Sequence, residues 1–171
     1  MNQPNLLRLV QLFTLADHAA TERLTARLAL VLRDPAAYET EYAEELLERG
    51  IEAGLPRQEL RDVALIDALL SEDLLWEADW KEAAFAMAEG INDILTHQQR
   101  PVALALAEPT SRITPGPEQL DAVQDALEPL GLALVLFTLD SDSYPLGVVA
   151  DAQAEELREL AAELGFGLAV Y

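Results

Sequence analysis

Apolar residues in this chain recur first every three or four positions and later in unbroken runs. Leu6, Leu9, Val10 and Phe13, following Pro4, share one helix face, and Leu24, Leu28, Val31 and Leu32 repeat the spacing. A third helix is predicted from Asp34-Pro35, with the aspartate as N-cap and the proline in the first turn, to a stop at Gly50. Pro56 opens a fourth, in which Leu60, Val63, Ala64 and Asp67 follow one another by three or four residues. "SEDLLWEADW" interrupts the pattern before a fifth helix, residues 80–97, with Ala84, Met87, Ala88, Ile91 and Leu95 on its apolar stripe.

The pattern changes at Arg100-Pro101. "VALALA" (102–107), "LALVLF" (132–137), "YPLGVVA" (144–150) and "FGLAVY" (166–171) read as strands. Two helical stripes lie between them: Leu120, Val123, Leu127 and Leu130, closed by Gly131, and Leu157, Leu160, Ala161 and Leu164, capped by Asp151 and stopped by Gly165. The order β-α-β-β-α-β is that of a ferredoxin-like sheet. The expected fold is therefore α+β: an N-terminal layer of about five helices (residues 1–99) packed on a C-terminal ferredoxin-like half (residues 100–171). "VALALA" and "LALVLF" are apolar on both faces, so both sheet faces must be covered. The two helices of the repeat are expected on one face and the N-terminal helices on the other, which makes the halves one cooperative unit.

Composition restricts function. Asp and Glu outnumber Lys and Arg 31 to 11, a formal charge of −20, with no basic cluster. Direct binding to nucleic acid is disfavoured, because phosphate contacts need grouped cations. A carboxylate excess of this size serves solubility, and it also suits a protein partner with a basic surface. The absence of cysteine excludes disulfides, zinc ribbons and thiol nucleophiles. Without a basic leader or an apolar run of membrane-spanning length, the expected location is the cytoplasm, with no membrane partner.

One segment invites chemistry. "LALVLFTLDSDSY" is an apolar strand running into Asp140 and Asp142, and it resembles the first motif of haloacid-dehalogenase-type phosphotransferases. That resemblance would imply an aspartyl nucleophile, a proton-handling aspartate and Mg²⁺. Against it, Tyr144 stands where Thr or Val is usual, and no Lys follows. The run also lacks the Gly and terminal Glu of an EF-hand loop. Asp and Ser favour turns through local side-chain hydrogen bonds, and Pro145 suits a strand start, so the segment is read as a hairpin. His18 and His97 stand apart from any nucleophile motif. Trp76 and Trp80 flank a carboxylate in "WEADWK", as anchors of the helical layer or as an exposed hot spot.

"DWK" (79–81) together with "LDSDSYPL" (139–146) resembles a family of uncharacterised bacterial proteins with an acidic helical N-terminal part and a C-terminal strand pair joined by an Asp-Ser-Asp-Ser-Tyr hairpin. The resemblance carries no established activity. In plan, the acidic ferredoxin-like half is also similar to small protein inhibitors of bacterial ribonucleases. The expected function is non-catalytic: an acidic binding protein, in concrete form an immunity-like or regulatory inhibitor, without cofactor or metal. The surface residues offered to the partner are Asp140, Asp142, Tyr144, Trp76 and Trp80. The alternative is a metal-dependent enzyme or metal-binding protein using the Asp140/Asp142 loop.

Overall fold

Local sequence rules account for most of the helices. In the computed structural model, which describes residues 2–52 and 54–171, the first stripe forms α1 (Gln3–Thr14) and the second α2 (His18–Arg33). The Asp17 carboxylate starts α2 by accepting the Ala20 N–H at 2.9 Å, and Asp34 does the same for Ala37 at 3.1 Å. The helix after Asp34 does not run unbroken to Gly50: α3 (Pro35–Glu41) and α4 (Ala43–Glu48) part at Tyr42. There the Tyr42 ring stacks on Tyr38, centroids 4.5 Å apart, and the buried Arg27 guanidinium lies 4.0 Å from the Tyr42 centroid. Gly50, at φ 79°, ends α4, and α5 (Arg57–Ser71) follows Pro56.

The segment that breaks the helical pattern forms β1 (Trp76–Asp79), so α6 (Ala84–His97) begins at Ala84 rather than near Trp80. Next come α7 (Pro117–Leu127), β2 (Leu132–Phe137), β3 (Ser143–Ala150), α8 (Ala154–Leu164) and β4 (Leu168–Val170). Asp151 lies in a short 3-10 turn before α8 and does not cap it. Among the described residues this makes eight α-helices and one four-stranded antiparallel sheet.

Two corrections follow for the sheet. Val102–Ala107 forms no strand. The Asn92 side chain takes both backbone groups of Leu104, accepting from its N–H at 2.7 Å and donating to its carbonyl at 3.1 Å, which fixes the segment along α6. The place it was expected to fill beside β3 belongs to β1. The strand order is β1-β3-β2-β4, whereas a ferredoxin-like sheet sets its last strand beside its first. With β4 outside β2, the right-handed rule for crossovers sends the β1-to-β2 and β3-to-β4 connections to opposite faces.

The packing agrees. On one face α6 and α7 bring Met87, Ile91, Leu120 and Val123 against Leu132, Leu134, Leu146 and Val148. On the other, Leu6, Leu9 and Phe13 of α1 and Leu157, Leu160 and Leu164 of α8 meet Ala133, Val135, Phe137 and Val149. The two sheet-connecting helical segments thus divide between the faces instead of sharing one. Since β1 and α6 come from residues before 100, a boundary at 99/100 would cut the sheet. Both free edges are blunted: Asp79 and Glu82 hydrogen-bond each other beside β1, and Arg158 donates to the Val170 carbonyl of β4 at 2.9 Å. Among the described residues no helix is long and apolar enough to cross a membrane.

Candidate functional site

The antiparallel pairing of β1 with β3 joins the two motifs that stand apart in the sequence. Trp76 lies opposite Leu146, Ala78 opposite Tyr144 and Asp79 opposite Ser143, and the Trp80 N–H donates to the Asp142 carbonyl at 3.1 Å. The β2–β3 connection is held as turn chemistry requires. The Ser141 and Ser143 hydroxyls are 2.8 Å apart, and the Ser143 N–H donates to the Ser141 oxygen at 3.2 Å. Pro145 is the third residue of β3 and not its start. The β2–β3 register stops at the Leu136–Leu146 pair, so the missing proline N–H lies beyond the ladder.

The five flagged residues do not share one surface. Trp76 and Tyr144 are half-buried against the α6 side of the sheet. Trp76 lies directly on Gly90 of α6, where any Cβ would overlap the indole. Trp80 stays exposed at the end of β1, with the Lys81 ammonium 5.3 Å from its ring centroid and exposed Phe85 following on α6. Asp140 and Asp142 are exposed in the loop, and Asp140 borders a cavity.

That cavity is a groove of about 400 Å³ between α5, the segment after α4 and the 138–143 loop. Its apolar lining is Ile51, Leu55, Val63 and Leu139, and its charged lining is Arg49, Glu59, Asp62, Glu77 and Asp140. Thr138, Ser141 and Ser143 add hydroxyls. This mixture of apolar surface and a few polar groups is typical of binding clefts. A larger, more open depression of about 810 Å³ along α2 includes Arg23 and Arg27, but these already pair with Glu72 and Glu45 at 2.7 Å.

Two buried aspartates of α5 define the electrostatics of the groove. Asp67 and Glu77 hold Arg49 between them, each at 2.5 Å. Burial pushes the Asp67 carboxyl above its ordinary range, opposed by Arg49, and its Oδ2 has no hydrogen-bond partner among the described residues. Burial works against the Arg49 charge too, but Glu77 and Asp67 more than offset it and raise its pKa. Asp62 is 6 % exposed, and among the described residues it has only neutral partners. Gly167 N–H donates to its Oδ1 at 2.6 Å, and Gln58 Nε2 reaches both oxygens at 3.1 and 3.2 Å.

Sequence reasoning missed Arg49, Asp62 and Glu77. The one available signal was an aspartate, Asp67, among the apolar positions of a helical stripe. Among the described residues no group of three His, Asp or Glu side chains is placed to share a metal ion. His97, the histidine in α6, bonds the Asp93 carbonyl and Asp73, away from the serines of the loop. The arrangement can hold a cationic or hydrogen-bonding ligand; it offers no nucleophile–base pair at Ser141 or Ser143.

A family model described as "Domain of unknown function (DUF6630)" matches residues 5–171, and the chain belongs to that family. No curated protein and no solved structure matches it.

Proposed function

We propose that this member of the family acts by binding a protein partner with a basic surface, as an immunity-like or regulatory inhibitor does. The observation that carries the proposal is the β1–β3 pairing, which brings the backbone of exposed Asp142 against exposed Trp80 at one end of the sheet, with exposed Asp140 two residues away in the same loop. An aromatic anchor flanked by charge is the usual composition of a binding hot spot, and a −20 chain accelerates encounter with a cationic partner. Trp76 and Tyr144, on the same two strands, are half-buried against the α6 side of the sheet. A nucleic-acid partner is disfavoured on charge, and the cytoplasmic setting belongs to the same proposal, resting on the cysteine-free composition.

The test is parallel affinity capture from the native host on the wild-type protein and on an Asp140→Asn/Asp142→Asn/Trp80→Ala variant. A basic protein retained by the wild type, weakened by salt and lost on the variant supports the proposal. Equal capture on both, or an acidic partner, overturns it.

A further inference from the structure

Asp62 and Asp67 lie five residues apart on α5, both more than nine-tenths buried, and among the described residues only one of them has a cation. Asp67 is paired with Arg49. Asp62 lines the groove, and among the described residues no Lys, Arg or His lies within ion-pair distance of it. A buried carboxylate without a counter-charge is costly, and neutral donors recover only part of that cost. An ionised carboxylate offers about four acceptor positions. Gly167 and Gln58 make three hydrogen bonds to Asp62, with the weakest, at 3.2 Å, on Oδ2.

We propose that the groove is a socket for one Lys or Arg side chain of an extended basic segment in the protein partner. Asp62 takes the cationic head, with Asp140 at the rim, and Ile51, Leu55, Val63 and Leu139 cover the methylene stem. The charge around the socket selects for this occupant. Glu59, Asp62, Glu77 and Asp140 face it against the single guanidinium of Arg49, whose charge is already taken by Asp67 and Glu77. An anionic group would meet repulsion from the groove walls. A volume of about 400 Å³ holds such a side chain together with adjoining backbone, for which Ser141 and Ser143 offer hydroxyls at the rim.

This socket rests on the binding role proposed above, yet it can fail separately. The experiment uses the full chain labelled with ¹⁵N and capped pentapeptides with a central Lys, Arg or norleucine between glycines. The expected result is saturable shifts of the Gly167, Ser141 and Asp140 amides with the Lys or Arg peptide. Asp62→Asn weakens that binding about tenfold, the size expected for one charge-assisted hydrogen bond. Asp140→Asn, an exposed change that leaves the fold intact, weakens it by less, and the norleucine peptide does not bind. Equal affinity of the norleucine peptide, shifts confined to other surfaces, or undiminished binding by Asp62→Asn overturns the socket. Free spermidine binding as tightly as the peptides replaces the protein segment with a small amine and overturns it as well. Peptide binding with no captured partner would leave the socket standing without the inhibitor role; a captured basic partner with no peptide binding would do the reverse.

Discussion

Gly90→Ala tests how β1 is attached to the rest of the molecule. In an exposed helix interior the change would stabilise by about 1 kcal/mol, because glycine is the poorer helix former. At this position the new methyl meets the Trp76 indole, with the backbone of α6 on one side and β1 on the other. The indole must then leave its seat. A buried tryptophan removes roughly 150–250 Å² from water, worth about 4–6 kcal/mol at about 25 cal/mol per Å². Trp76 is only half-buried, so about half of that is at stake, and the helix gain subtracts further. The expected net loss is about 1–2 kcal/mol, within the usual range for overpacking. Urea unfolding followed by circular dichroism gives the midpoint, and tryptophan emission in a Trp80→Phe background reports Trp76 alone. The emission should shift to the red in the native baseline of the variant. Adding Trp76→Leu should recover part of the loss, a coupling visible in a double-mutant cycle. A Gly90→Ala protein as stable as the wild type, or more stable, would refute the reasoning.

Arg49→Gln leaves Asp67 and Glu77 without their shared cation and should cost about 3 kcal/mol, as for breaking a buried pair; the loss should shrink when Asp67→Asn is added. Because burial raises the Asp67 pKa in the fold, the ionised group opposes folding. Its contribution therefore improves as pH falls from the raised value towards about 3.9, and the Arg49→Gln variant should gain more on acidification than the wild type in urea titrations. Burial likewise lifts the Tyr38 phenol far above its ordinary value, against the opposing charge of Arg27. Stability should be insensitive to this group below pH about 10 and fall above it by up to about 1.4 kcal/mol per pH unit, as the unfolded tyrosine ionises. Tyr38→Phe should remove that share of the alkaline slope. Ser141→Ala should cost a few tenths to about 1 kcal/mol, measured by thermal unfolding, since it removes only local turn bonds. Residues 101–171 expressed alone lack β1, α6 and α1 and expose part of both sheet faces, so they should be insoluble or molten; a soluble fragment that melts cooperatively would show that the C-terminal part folds independently.

Properties written in neighbouring residues were legible from the chain alone. The leucine stripes of α1, α2 and α8, the Asp34 cap with Pro35, and the stops at Gly50, Gly131 and Gly165 depend on contacts within a few residues. So do the apolar runs of β2 and β3 and the serine bonds of their connecting loop. The partner of each strand was not legible. "VALALA" is the more strand-like segment, yet "WEAD" occupies the edge beside β3, because its alternation puts Trp76 and Ala78 on α6 while Glu77 reaches Arg49. Asn92, ten residues before Val102, then captures Leu104 and removes the rival. The choice between faces for α8 was likewise absent from its own stripe, since it depends on whether β4 pairs with β1 or β2. The candidate site follows the same division. Asp62 and Asp67 both lie on one helix with apolar neighbours, and only the approach of Arg49 from the end of α4 gives one a counter-ion and leaves the other facing a groove. Periodicity and capping act between adjacent residues, whereas strand pairing and charge pairing are competitions among segments distant in sequence, which the assembled structure decides.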